Sequence, residues 1–173
     1  MDEAGFAALF EAHYGAVVAY ARRRGVAWDE AHDVAAEVFG IAWRRSQRMP
    51  TEAPRPWLLA VARRCLANHR RASLRWRGLV DRATSAFGAA PPPSGPEDVA
   101  TGRADEELAL ALASLPARDR EVLVLVAWDG LTHVEAAQVL GISESAVSNR
   151  VVRARARLRR ALGEPTDAEV GGT

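Results

Sequence analysis

The sequence predicts an all-α protein: two small helical domains joined by a flexible linker. Three observations carry that prediction. Apolar residues recur at three- and four-residue spacing in both halves, and no segment alternates apolar with polar as a half-buried strand does. A stretch rich in Pro, Gly, Ser and Ala separates the halves and holds almost no large apolar residue, so it cannot bury enough surface to fold by itself. Near the C-terminus, two capped helical patterns flank a glycine turn.

The elements follow in order. Phe6, Leu9, Phe10, His13, Tyr14, Val17, Val18 and Ala21 keep helical spacing, and Arg22, Arg23, Arg24 and Gly25 supply a cationic last turn and a stop. A second helix is expected from about Asp29, with Ala31, Val34, Ala35, Val38, Phe39, Ala42 and Trp43 on its apolar side, until SQRMPTEAPRP breaks it. Pro56 suits the first turn of a third helix, because proline lacks the N–H that a first turn leaves unused. Trp57, Leu58, Val61, Ala62, Cys65 and Leu66 form its apolar side, and Arg63, Arg64, Asn68, Arg70, Arg71, Arg75 and Arg77 line the other.

The expected first domain covers residues 1–80, the linker 81–104, the second domain 105–163 and a disordered tail 164–173. Helices resume at Asp105, and Pro116 and Gly130 bracket a further segment. Its VLVLV core fits helix or strand by pattern, but the bracketing residues and the length between them favour helix.

Composition narrows the function classes. Hydrophobic residues make up 49% and charged residues 26%, a globular balance, and no apolar run reaches the roughly 20 residues that span a bilayer, so no membrane insertion is expected. The acidic N-terminus lacks the pattern of an export signal, which makes a cytoplasmic location the expectation. Cys65 is the only cysteine, excluding an intrachain disulfide and a cysteine-cluster zinc site. Cys65 and His69 stand one helical turn apart, yet two further ligands are missing; a packed cysteine beside a surface histidine is the better reading, and neither metal nor cofactor is expected. No nucleophile, base and orienting acid fall into a motif, so the chain does not read as an enzyme.

The net charge of +1 conceals blocks: −4 over residues 1–40, +9 over 41–80, −7 over 81–147 and +3 over 148–173. Two basic blocks, one late in each half, fit a polyanion touched twice and, from charge alone, fit two solvated helix faces equally well. All 23 basic residues are Arg, which is mainly the mark of a GC-rich genome, although Arg also suits bidentate phosphate contacts.

Residues 132–160 are the most informative segment. Thr132 and Glu135 make a capping-box signature, so a helix starts at His133. Gly141 supplies a turn, Ser143 is an N-cap for the next helix, and Val147 and Val151 give that helix a buried stripe. Small Ala137, turning Gly141 and apolar Val147 meet the needs of a DNA-binding helix-turn-helix. Glu144, Ser145, Ser148, Asn149, Arg150 and Arg153 then point away from the stripe, able to bond base edges and phosphates, with Arg155, Arg157, Arg159 and Arg160 beyond.

EAHDVAAEVFGIAW and PRPWLLAVARRCLANHRR resemble region 2 of the sigma-70 family of RNA polymerase sigma factors, and the stretch from Glu107 to Leu162 resembles region 4. Both lie in the right order around a linker too short for an intermediate domain. The chain is therefore similar to the small extracytoplasmic-function (ECF) group. The resemblance implies a protein that directs RNA polymerase to promoters in a stress or signal response. It implies a core-polymerase face at Asp29, Glu30, Asp33 and Glu37, with Val38 or Phe39 adding apolar contact to the clamp helices of the largest subunit; for the rings of Phe39 and Trp43, a core position is the preferred alternative. It implies a second polymerase contact, at the flap.

The resemblance further places the minus-10 element on Trp57, Arg63, Arg64, Asn68, Arg70 and Arg71, with Trp57 either stacking on a base or plugging the core. The minus-35 element falls to Ser145, Ser148, Asn149, Arg150, Arg153 and Arg157. Arg64 stands where the family often has Asn, Asn68 where Asp is frequent, and Ser145 and Ala146 where Gly and Thr are usual; Val147 and Arg150 are retained. The group is commonly restrained by an anti-sigma protein, so such a partner is implied, along with a place on the nucleoid when polymerase is bound. Two other readings compete: a helix-turn-helix regulator that binds an operator as a dimer, and an adaptor without promoter activity.

Overall fold

A computed structural model describes the backbone of residues 1–84 and 103–163, and the side chains within residues 1–73 and 107–163. Among the described residues every regular element is helical. The chain divides into two compact units.

The first unit holds α1 (Glu3–Arg22), α2 (Trp28–Arg44), a 3-10 turn (Ser46–Arg48) and α3 (Pro54–Thr84). The Asp2 carboxylate caps α1 by accepting from the Gly5 N–H at 2.9 Å, and Gly25, at φ 76°, turns the chain after it. Asp29 and Glu30 sit in the first turn of α2, where the helix dipole favours acids. Val17, Tyr20 and Ala21 of α1, Val34, Ala35, Val38 and Phe39 of α2, and Leu58, Ala62 and Cys65 of α3 build the core. Phe39 is its aromatic centre, with ring centroids 4.8 Å from Phe10, 6.0 Å from Tyr14 and 6.3 Å from Phe6. Truncating such a ring to alanine costs about 3–5 kcal/mol.

The second unit holds α4 (Arg103–Ser114), α5 (Ala117–Ala127), α6 (His133–Leu140) and α7 (Glu144–Ala161). Leu115, Leu123 and Ala154 form a core cluster, with Leu112 and Leu158 packed against it, and Val122, Leu125, Val139, Val147 and Val151 are buried as well. The ambiguous VLVLV lies in α5 and is helical.

The expected boundaries shift at the linker. Residues 81–84 continue α3 and residues 103–104 open α4, so helix takes both edges of the 81–104 segment. Aspartate and arginine can extend a helix that a composition count reads as loop. The rest of that segment and the expected tail lie outside the described residues.

Candidate nucleic-acid interface

The helix-turn-helix of the second unit is built by local chemistry. Thr132 Oγ1 accepts from the Glu135 N–H at 3.2 Å, and Glu135 Oε2 accepts from the Thr132 N–H at 2.8 Å, completing the capping box of α6. Gly141 ends that helix at φ 67°, a left-handed conformation that glycine adopts without strain, and its N–H donates to Ala137 O at 2.8 Å. Ser143 Oγ then accepts from the Ala146 N–H at 3.2 Å to start α7.

Val147, Val151 and Ala154 are buried beneath α7. Ser145, Asn149 and Arg153 are exposed on the side of the helix away from its core stripe, and Ser148 and Arg150, both half-buried, flank that stripe on its two edges. Arg157 differs. Its Nη1 pairs with Oδ2 of Asp119 in α5, and Arg153 Nη2 lies 3.9 Å from the other oxygen of that carboxylate. The sequence reading sent Arg157 toward DNA and missed Asp119, whose location on another helix no local pattern discloses. It also missed His133, whose Nδ1 is hydrogen-bonded to Ser148 Oγ at 2.9 Å.

A second polar face lies on α3. Leu58, Leu59, Val61, Ala62, Cys65 and Leu66 are buried. Trp57, Arg64, Asn68 and Arg71, spaced 7, 4 and 3 residues apart, fall on one outward stripe of a 3.6-residue helix. Arg71 reinforces it, donating from Nη2 to Asn68 Oδ1 at 2.7 Å and from Nε to Ala67 O at 3.1 Å. Trp57 is half-buried, between the two positions expected of it. Arg63 is half-buried too, and Arg70 leans back to the turn after α1, donating to Arg24 O at 2.7 Å.

The acids of α2 are all exposed, but two are engaged. His69 of α3 places Nε2 3.0 Å from Glu37 and Nδ1 3.7 Å from Glu30. Val38 is a correction: at 0% exposure it belongs to the core and offers no surface to a partner, whereas Phe39, at 2%, takes the core position preferred for its ring, against Phe10 of α1. Trp43 is corrected in the opposite sense. Near the end of α2 it is 47% exposed, edge-on to Phe6 at 5.0 Å.

Burial, then the charge of Glu37 and a hydrogen bond to it, push the Cys65 thiol up to about 12. A protonated thiol is a poor nucleophile and a poor ligand. Burial and then Arg55 lower His13. Among the described residues, no three His, Cys, Asp or Glu side chains group as metal ligands, and no helix is long and apolar enough to cross a membrane.

Comparison with known proteins agrees with this layout of two helical units. Residues 9–77 match the family model described as Sigma-70 region 2, and residues 105–158 match Sigma-70, region 4. RNA polymerase sigma factor NccH of Alcaligenes xylosoxydans xylosoxydans is 30% identical, over 91% of this chain and 86% of its own. ECF RNA polymerase sigma factor SigL of Mycobacterium tuberculosis is 33% identical, over 91% and 88%. The solved structure of CnrH in complex with the cytosolic domain of CnrY superposes with a TM-score of 0.64 at 28% identity, over 94% of this chain and 90% of that one. Sigma factor RpoE of Bartonella quintana, solved with the anti-sigma factor NepR, shares the fold, with a TM-score of 0.62 at 23% identity, over 91% and 96%. With both family regions matched in order, and relatives matched along most of their length, the chain belongs to the ECF RNA polymerase sigma factors of the sigma-70 family.

Proposed function

We propose that this sigma factor brings core RNA polymerase to promoters through three surfaces. Ser145, Ser148, Asn149, Arg150 and Arg153 of α7 read the minus-35 element in the major groove, where polar side chains distinguish base edges. Trp57, Arg64, Asn68 and Arg71 of α3, flanked by Arg63 and Arg70, hold the minus-10 strand, the arginines following phosphates and Trp57 stacking on a base. Asp29, Glu30, Asp33 and Glu37 of α2 dock on the clamp helices of the polymerase's largest subunit, and the second unit docks on the flap.

One observation supports this reading above the others: two basic faces stand on separately cored units, each on a helix whose opposite stripe is fully buried. A dimeric operator-binding regulator needs only one such face, and that alternative is not favoured. The sigma factor makes no bond itself; synthesis belongs to the core enzyme. It acts in the cytoplasm, on the nucleoid. CnrH and the Bartonella RpoE are solved with CnrY and an anti-sigma factor, NepR. An inhibitor of that class, released by a signal, is proposed for this chain too.

The test mixes the purified chain with core polymerase and a promoter fragment melted in advance around its minus-10 element. Transcripts starting at one site are expected. Duplex binding with no transcript from any promoter would return the chain to the regulator class.

A further inference from the structure

The bond between His133 and Ser148 lies outside everything assigned above. His133 is the first residue of α6, and Ser148 lies in the second turn of α7, beside buried Val147. Their side chains meet at 2.9 Å, and both are half-buried, so the serine hydroxyl is held on one side and open on the other. A serine hydroxyl has one proton and two lone pairs and rotates freely when nothing holds it. A free rotor can donate to G or T acceptors or accept from A or C donors, and it distinguishes bases poorly. The imidazole ends that freedom. With Nδ1 unprotonated, the hydroxyl donates inward and leaves only lone pairs for the groove, so it accepts from a base and cannot donate. A hydroxyl accepting from Nδ1–H would keep both its proton and a second lone pair, so the commitment belongs to the imidazole protonated on Nε2.

We propose that His133 is a specificity-determining positioning residue, which touches no base itself and commits Ser148 to a single hydrogen-bonding role toward one base of the minus-35 element. The proposal rests on the reading of α7 as the minus-35 helix. It makes the first helix of the motif a participant in sequence choice, and it explains why a small, otherwise indiscriminate hydroxyl can read at all. A histidine serving only to pack α6 on α7, or to touch a phosphate, would affect all sequences alike.

The experiment uses holoenzyme assembled from the full chain and core polymerase, selected against a promoter library randomised across the minus-35 half. His133→Phe keeps the ring and removes both nitrogens, and His133→Ala serves as a second loss variant. Each is expected to lower preference at one position by about three- to tenfold, the range for one lost hydrogen bond. Ser148→Ala should lower it at that same position, and the double variant should lose no more than either single change. His133→Asn, whose amide reaches near the place of Nδ1, should recover part of the preference.

An even loss across all sequences in His133→Phe, or a change at a position that Ser148→Ala leaves alone, overturns the proposal. If neither Ser148→Ala nor Asn149→Ala alters the profile, the minus-35 reading of α7 falls and this inference with it. If those two alter it and both His133 loss variants do not, only the inference falls.

Discussion

The guanidinium of Arg157 in α7 is paired with the carboxylate of Asp119 in α5, Nη1 to Oδ2 at 2.5 Å, and that carboxylate is only 8% exposed. The pair ties the recognition helix to the helix behind it. Removing Arg157 leaves a buried carboxylate with Arg153 3.9 Å away as its remaining ion-pair neighbour. Breaking a buried pair costs several kcal/mol, but Arg157 is 46% exposed and water screens part of the interaction. Arg157→Ala is therefore expected to destabilise the second unit by about 1–2 kcal/mol, lowering its Tm by roughly 4–8 °C per kcal/mol. Exposed Arg155→Ala should stay within about 0.5 kcal/mol. Melting curves that match for the two variants would remove the bracing role.

On α3 the outward stripe makes a separate prediction. Replacing Arg64 and Arg71 with Gln should reduce open-complex formation and flatten its salt dependence, because each lost phosphate contact removes about 0.7 counterion from the release term for a single strand. Arg71 also holds Asn68 in place, so Arg71→Gln should be the more damaging of the two. Open-complex yield measured against salt concentration checks this, and an unchanged slope would mean a merely solvated face.

What was legible in the sequence is what depends on near neighbours. The Thr132–Glu135 box, the Gly141 turn, the Ser143 cap and the Val147–Val151 stripe each involve residues within four positions of one another, and the structure holds all of them. The pairs that tune the surfaces join distant residues: Arg157 to Asp119 across 38 positions, His69 to Glu37 across 32, and His133 to Ser148 across 15. No helical period connects them. Trp43 shows a further limit. It lies four residues after Phe39 and so shares its stripe, but close to the end of α2 there is too little protein beyond it to cover the ring.

Cys65 gives a pH dependence. Its thiol ordinarily ionises near 9.0, and in the folded chain it holds its proton to about 12. Between those values the unfolded chain has lost a proton that the folded chain keeps, so stability falls as pH rises through that window. The slope approaches about 1.4 kcal/mol per pH unit. Urea unfolding at pH 8 to 11 should show this decline, and Cys65→Ala should be less sensitive over the same range. Equal slopes in the two proteins would exclude the thiol as the source.

The acidic face of α2 yields the last prediction, and the structure changes which residues can test it. Glu37 faces His69 at 3.0 Å and contributes to holding the Cys65 proton, so reversing its charge would disturb the α2–α3 contact as well as any docking surface. Glu30 is compromised in the same way, 3.7 Å from His69. Asp29 and Asp33 are exposed on the same helix and lie outside the Glu30–His69–Glu37 cluster, which makes them the cleaner probes. Asp29→Arg with Asp33→Arg should weaken core-polymerase association by tenfold or more, on the order of the cost of opposing like charges at a complementary interface. Duplex binding through α7 and the melting temperature of the first unit should be preserved. Because rim charges act on association rate and are screened by salt, the loss should shrink as ionic strength rises. Binding kinetics against immobilised core polymerase at two salt concentrations measure both effects. A double variant that binds core as tightly as the original chain would move the docking face off α2 and leave Glu30 and Glu37 with a purely internal role, bracing α3 through His69.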